Sequence, residues 1–334
     1  IGEDLGMIND WLHRRDTLSS GACESLVDAS LPGWAHTGLR ILELADATVD
    51  LPAEAVERVL VPLSGPTFTV KYSAPEGIVG EQNLAGRRSV FHGPADCLYL
   101  PTGTAATVRG SGRIAVCEAP TEETRPVQYL PAADVPVELR GAGRSSRQVH
   151  NFATPAGLDC VKIIACEVIT PAENWSSYPP HKHDEAIAGT ETRLEEIYYF
   201  ESAVSRGLTA PAAADPFALF ATYSSAAGEI ETSAIVRTGD IALVPYGYHG
   251  PVAAAPGYDN YYLNVMAGPD PDRAWLITDD PAHGWVREQW EGEEFDPRLP
   301  YTAEPTGDED TTGTQNAAAP GRDGFTTEDG GERR

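Results

Sequence analysis

The chain has 334 residues and sets 24 Lys and Arg against 50 Asp and Glu, so 24 − 50 gives a formal net charge of −26 at pH 7. Phosphate backbones and anionic lipids are held by clustered cations, so this balance argues against nucleic acid or a membrane surface as a partner. An apolar content of 41% excludes wholesale disorder and suffices for one or two cores, and no run approaches the roughly 18–20 apolar residues of a membrane span.

The start of the chain, IGEDLGMINDWLHRR, has no apolar signal core behind a basic segment. The expectation is a soluble, cytoplasmic protein. Cys23, Cys97, Cys117, Cys160 and Cys166 are odd in number, widely spaced and free of any C-x-x-C pair, which predicts reduced core residues.

Along the first half, short apolar runs (ILEL, RVLVPLSG, FTVKYS, CLYLPTG, ATVRG, RIAVCEAP) alternate with Gly and Pro turn signals about every eight to twelve residues. No long segment with a 3.6-residue period intervenes, so the pattern predicts antiparallel strands. The segment 137–151, VELRGAGRSSRQVHN, is rich in Gly, Ser and Arg and reads as a connector whose cations Arg140, Arg144 and Arg147 are available to a substrate carboxylate. The strand texture resumes with CVKIIACEVIT, EEIYYFE, FALFATYS, TSAIVRTGD, IALVPYG and NYYLNVMAG. Beyond Tyr301 the composition turns to Gly, Thr, Pro and acid, which cannot bury enough apolar area to offset its ordering entropy. The expected organisation is two tandem β domains, 1–145 and 146–300, and a disordered acidic tail, 301–334.

An internal repeat supports the tandem plan. GPADCLYLPTG (93–103) and GDIALVPYG (239–247) share a turn glycine, an Asp, an apolar strand and a Pro-x-Gly exit. Superposing the turns matches Pro101 with Pro245 and Gly103 with Gly247, and sets Ala105 against His249. The first copy lacks the imidazole.

The chemistry concentrates in the second copy. In a strand His181 and His183 of SSYPPHKHDE project from one face, close enough for both imidazoles to meet one ion. An acidic strand, LEEIYYF (194–200), follows, and the Pro-x-Gly turn ends in His249. Histidines with one carboxylate suit Zn, Mn, Fe or Co and leave coordination positions for substrate oxygens. Strand phase puts Glu196 with Tyr198 and Phe200, and Glu195 with Ile197 and Tyr199, without choosing between the two carboxylates.

The order H-x-H, Glu, Pro-x-Gly, His resembles the cupin superfamily, and the repeat with a degenerate first half resembles a bicupin, two tandem jelly-roll barrels of which the second binds metal. The separation of His183 from Glu196 exceeds the usual cupin spacing, so 184–193 form an inserted loop. NWSSYPPHKHDE, LEEIYYF, VPYGYHGPVAAAPGYDNYYLNVMAG, DDPAHGWV, RSVFHGPADCLYLPTGT and VPVELRGAGRSSRQVHN are similar to the 5-deoxy-glucuronate isomerases of myo-inositol catabolism.

This resemblance implies an aldose–ketose isomerase that converts 5-deoxy-D-glucuronate to 5-dehydro-2-deoxy-D-gluconate through a metal-stabilised enediolate. It implies a divalent cation on His181, His183, Glu196 and His249, with no organic cofactor, and a small sugar acid as the partner. A homo-oligomer joined through sheet edges is also compatible with it. For proton transfer the sequence offers Glu195, Tyr199 and Tyr262, with Glu185 and the other tyrosines of GYDNYYLN beside them. For the substrate it offers Lys182, Arg193, Arg147 and Asn264. One departure concerns substrate choice: in PFALFATYS, Phe220 and Ala221 stand where the family has a polar pair. The net charge adds a requirement, because an anionic substrate needs a locally positive site within an acidic chain.

Overall fold

The computed structural model describes residues 11–302. Its elements are strands and four short 3-10 turns, and no α-helix occurs among the described residues. The all-β expectation holds. The acidic tail lies outside the described residues, except that Tyr301 is buried: its N–H donates to Gln148 Oε1 (2.6 Å) and its hydroxyl to Asp259 (2.9 Å). Folded structure therefore extends to the first residue assigned to the tail.

The first sheet runs in the order Cys23–Val27, Gly38–Leu51, Ala105–Pro120, Val56–Ala74, Cys97–Leu100, Gln128–Leu130, and Ile78–Arg87 pairs with the outer part of Val56–Ala74. Two of its strands are long enough to bend. Gly65 and Gly112 sit at the bend with φ of 126° and 114°, and a Cβ on either would meet a backbone carbonyl at about 2.2 Å or closer, so only glycine lets these strands pass.

The second sheet has the order Leu12–His13, Ile241–Val244, Glu195–Val204, Tyr258–Ala267, Ile164–Thr170, Arg147–Ala153, Val137–Arg140. The third runs Gly228–Val236, Ala218–Ser225, Tyr248–Ala254, His181–Lys182, Thr278–Asp279. The segment read as a connector is thus mostly strand, and Arg147–Ala153 is buried along its whole length. Gly and Ser mark only the turn at 141–146.

Burial explains the layering. An apolar cluster fills the inside of the first sheet (Leu42, Leu60, Phe68, Leu98, Val116), and another lies between the second and third (Val168, Tyr198, Phe200, Phe220, Val252, Tyr262). The largest joins the halves, with Val59, Val61, Tyr99 and Cys117 packed together with Ile163, Ile197, Tyr199 and Leu263. Along Glu195–Val204 the period of two is therefore functional. Tyr198 and Phe200 face the inside of the second barrel, whereas Ile197 and Tyr199 face the other half. The cysteines are unpaired, and four of the five are buried.

Register supports the repeat at single-residue resolution. Arg58 pairs with Leu100 on one side and Glu118 on the other, as Glu196 pairs with Val244 and Met266. Arg58 thus occupies in the first half the place of Glu196 in the second, and it is bonded to Glu118 (2.7 Å) and Glu54 (2.6 Å). The neighbouring residues correspond as well. Glu57 accepts the backbone N–H groups of Val161, Lys162 and Ile163 (2.6–2.7 Å), and Glu195 accepts those of Ala35, His36 and Thr37 (2.6–3.3 Å). Each half therefore anchors a loop of the other through a carboxylate.

A buried polar network reinforces this joint. Arg87 of the first half holds Glu167 of the second, which also accepts from Tyr261 (2.7 Å) and bonds His150 (2.9 Å). Burial alone would raise the Glu167 carboxyl, but the Arg87 charge and the His150 hydrogen bond outweigh it and bring it to about 2. The sign follows from that depression: the stabilisation is present above the ordinary glutamate range near 4.5 and is lost as pH falls toward about 2. Glu167→Gln should cost about 3–5 kcal/mol, because it leaves Arg87 buried without its partner. Denaturant unfolding at pH 7 measures this, and a loss under about 1 kcal/mol would count against the network.

Candidate metal centre and active site

Three elements converge at one end of the second barrel. The short strand His181–Lys182, between Tyr248–Ala254 and Thr278–Asp279, brings His181 and, just beyond it, His183. The barrel strand Glu195–Val204 brings Glu196, and the strand Tyr248–Ala254 brings His249, paired in register with His181. The turn before His249 needs Gly247 at φ 93°, where a Cβ would strike Ile230 and the Tyr223 carbonyl.

The ring nitrogens define the chemistry. His181 Nδ1–H donates to the Pro179 carbonyl (3.0 Å), His183 Nδ1–H to that of Leu194 (3.1 Å) and His249 Nδ1–H to that of Gly247 (3.0 Å). A carbonyl only accepts, so each Nδ1 carries the proton and each neutral ring presents a lone pair at Nε2. Donation of the far ring N–H to a backbone oxygen is also the arrangement that orients metal-ligating histidines.

His183 Nε2 and His249 Nε2 both lie 3.0 Å from Glu196 Oε2. The ligand atoms of His183, Glu196 and His249 fall within 4.8 Å of one another, and all three residues are buried. His181 stands beside this group and outside it, its ring centroid 4.7 Å from that of His249 and 6.3 Å from that of His183.

Three acceptors pointing at one another repel unless a cation lies among them. A proton on His183 relieves part of this. Although burial opposes it, the hydrogen bond and charge of Glu196 raise the His183 ring above its ordinary range. His249 Nε2 nonetheless has no hydrogen-bond partner, its distance to Glu196 being short but its alignment poor. A buried, orphaned imidazole nitrogen beside a carboxylate fits a divalent cation and is costly without one.

A cavity of about 220 Å³ opens beside the ligands, lined by His181, Glu196, Tyr198, Tyr262, Asn264 and Arg147 among others. Arg147 is 8% exposed, donates to the Ser145 carbonyl (3.0 Å) and lies against Trp290. No carboxylate among the described residues is in salt-bridge contact with it, and burial lowers its guanidinium to about 10, so it stays charged at neutral pH. Arg140 and Arg287 line the same cavity, paired with Glu138 (2.8 Å) and Asp279 (2.8 Å). Asn264 Nδ2 and Trp275 Nε1, also in the lining, lack partners. The cavity thus collects unused N–H donors and positive charge beside the histidines.

The family model for the KduI/IolB family matches residues 11–286. The chain belongs to the KduI/IolB family. A protein of Geobacillus kaustophilus named 5-deoxy-glucuronate isomerase is 37% identical over 260 residues, 77% of this chain and 87% of that one. A crystal structure of an IolB-like protein from Salmonella typhimurium superposes with a TM-score of 0.72 at 35% identity, covering 83% of this chain and 99% of that one. The oxalate decarboxylase of Lactobacillus farciminis shares only 10% identity but superposes with a TM-score of 0.57 over 83% of this chain and 90% of its own, which shows the shared fold. The architecture of this family member is therefore that of a bicupin.

Within that frame, several residues singled out from the sequence stand elsewhere. Glu195 is on the opposite face of its strand from Glu196 and is occupied by the amides of 35–37. Tyr199 shares that face and donates to Glu201 (3.0 Å). Lys182 points away from the cavity into Asp184, Glu185 and Glu191. Arg193 is half-exposed and paired with Asp270 (3.1 Å). Tyr262, Asn264 and Arg147 do line the cavity.

Residues the sequence did not mark are Tyr198, whose hydroxyl meets that of Ser177 at 2.8 Å, and Arg287, about ninety residues beyond Glu196. Tyr198 was legible in principle, since it shares the Glu196 face. Phe220 packs under the site against Tyr198 (5.0 Å) and Phe200 (5.4 Å), and a bulge at Ala221 interrupts the ladder to the His249 strand.

Proposed function

We propose that this chain isomerises 5-deoxy-D-glucuronate to 5-dehydro-2-deoxy-D-gluconate, the activity for which its curated relatives are named, and that His181, His183, Glu196 and His249 hold a divalent metal. The observation that carries the reading is one cavity lined both by metal-type ligands and by Arg147, a buried cation without a carboxylate of its own. A metal there supplies Lewis acidity for charge developing at C1 and C2 oxygens. The rest of the chemistry falls to side chains.

Arg147 pairs with the substrate carboxylate, a charge-assisted contact that fixes which end of the sugar acid meets the histidines. Arg140 and Arg287, each paired with a carboxylate, add N–H donors to the same wall. Asn264 Nδ2 and Trp275 Nε1 donate to hydroxyl oxygens. Burial keeps the Tyr198 and Tyr262 phenols protonated far above neutrality, so they act as donors rather than bases. Tyr198, bonded to Ser177, passes a proton between the C2 and C1 oxygens, while the C2 proton is given up to a solvent-exchangeable group and C1 is protonated from the same pool. The atoms balance without a redox partner: one C–H bond breaks at C2, another forms at C1, and a hydroxyl proton changes oxygen.

Mixing metal-loaded protein with 5-deoxy-D-glucuronate in deuterated water should give the ketose with deuterium at C1, read by NMR. Absence of ketose with Zn²⁺, Mn²⁺, Fe²⁺ and Co²⁺ in turn would sink the assignment.

A further inference from the structure

We propose that Lys182 is a positioning residue for the metal centre, locking the H-x-H segment to the turn that delivers His249. The inference rests on the reading that His183, Glu196 and His249 hold a metal. It concerns the loop 184–193, the insertion that separates His183 from Glu196.

Lys182 lies between two ligands in sequence, so the period of two sends its side chain to the opposite face. There its ammonium is 8% exposed and lies 2.7 Å from Asp184 Oδ1, 2.7 Å from Glu185 Oε2 and 2.9 Å from Glu191 Oε1. Glu191 Oε1 also accepts the backbone N–H groups of Asp184 (2.9 Å) and Glu185 (3.0 Å), which closes the loop on itself. The other Asp184 oxygen accepts from Gly247 N–H (2.8 Å) and the Ser225 hydroxyl (2.5 Å).

A continuous path results. It runs from the Lys182 ammonium to Asp184, to the Gly247 amide, and through the Gly247 carbonyl to His249 Nδ1 (3.0 Å). At the far end of the loop, Leu194 N–H donates to the His183 carbonyl (2.9 Å) while its own carbonyl orients the His183 ring (3.1 Å). The loop therefore holds two ligands from two different elements.

Charge explains why a lysine is needed. Asp184, Glu185 and Glu191 bring their oxygens within 4.8 Å of one another, an arrangement that repels itself without a cation. Lys182 supplies that cation covalently, so the brace persists whether or not the metal is bound. With its ammonium used in this way, Lys182 is withdrawn from substrate recognition.

The test compares wild type, Lys182→Met, Lys182→Arg and Asp184→Asn after metal stripping. The measurements are the dissociation constants for Zn²⁺ and Mn²⁺ by chelator competition and the Tm of the stripped proteins. Outer-shell partners of metal ligands are typically worth 10–100-fold in affinity. Lys182→Met and Asp184→Asn should weaken both metals by about that factor, with partial recovery in Lys182→Arg. Unchanged constants together with a lowered Tm would overturn the inference, since the loop would then brace only the fold. Should Lys182→Met fail to fold, Asp184→Asn decides the matter, because it keeps the shape and removes the charge that ties Lys182 to the Gly247 turn. A wild-type chain that binds neither metal would instead overturn the metal reading itself.

Discussion

Replacing Glu196 with Gln should give a folded chain that has lost both its metal and its turnover. The carboxylate is the one anionic member of the ligand group, and it lies 3.0 Å from the Nε2 atoms of His183 and His249. Removing its charge takes away the attraction that offsets stripping a dication of water. At about 1.36 kcal/mol per tenfold, several kcal/mol of lost charge stabilisation corresponds to a fall in kcat of about 10³ or more.

The stripped protein should behave differently. A glutamine amide donates hydrogen bonds where the carboxylate only accepts, and without the Glu196 charge that favours its proton His183 returns to a neutral ring, so both imidazoles face the amide with lone pairs. Metal-free Glu196→Gln should therefore melt no lower than metal-free wild type. Metal content, kcat and the two Tm values check this together. A variant that keeps both its metal and its rate would remove Glu196 from the centre.

Arg147→Met should act on binding. A charge-assisted hydrogen bond contributes about 1.5–3 kcal/mol, so KM for the uronate should rise about 10–100-fold while kcat changes much less. Lys at this position keeps the charge but loses the planar fork, and should recover only part of the affinity. The same substitution bears on stability with the opposite sign, because wild-type Arg147 is a buried cation without a carboxylate partner. Replacing it by an apolar chain of similar length should leave the Tm equal or higher. An unchanged KM with a lowered Tm would make Arg147 a packing residue.

How much of this was legible depends on the local physics of each segment. H-x-H followed by an acidic strand and a Pro-x-Gly-x-His turn marks its candidate ligands openly, because metal geometry dictates the residue types. The choice between Glu195 and Glu196 was silent in the pattern itself. Alternation reveals a face only when one side meets water, and this strand is buried on both sides, against the barrel interior and against the other half. Resemblance supplied what phase withheld.

Proximity in sequence suggests Lys182 for the substrate, although its place between His181 and His183 already sends it to the far side. Arg147 was credited with the carboxylate role but set in a connector, since the Gly, Ser and Arg of 141–146 mask the strand that follows. Arg287 gave no local signal at all. It reaches the cavity only through the path of the chain after the second barrel is complete.

The paired anchors Glu57 and Glu195 have an implication for how such a chain arose. A residue of one unit gripping a loop of the other, with the converse contact at the matching position, is the signature of a twofold, self-complementary interface. Two copies of a single barrel would meet in this way, and tethering them end to end would preserve both grips. One residue further along, the copies differ: Glu196 faces His183 and His249, while Arg58 is half of an ion pair with Glu118. The grip between the halves and the candidate metal site thus use adjacent residues of one strand, facing opposite ways. A first barrel without the histidine and glutamate therefore keeps its hold on the second.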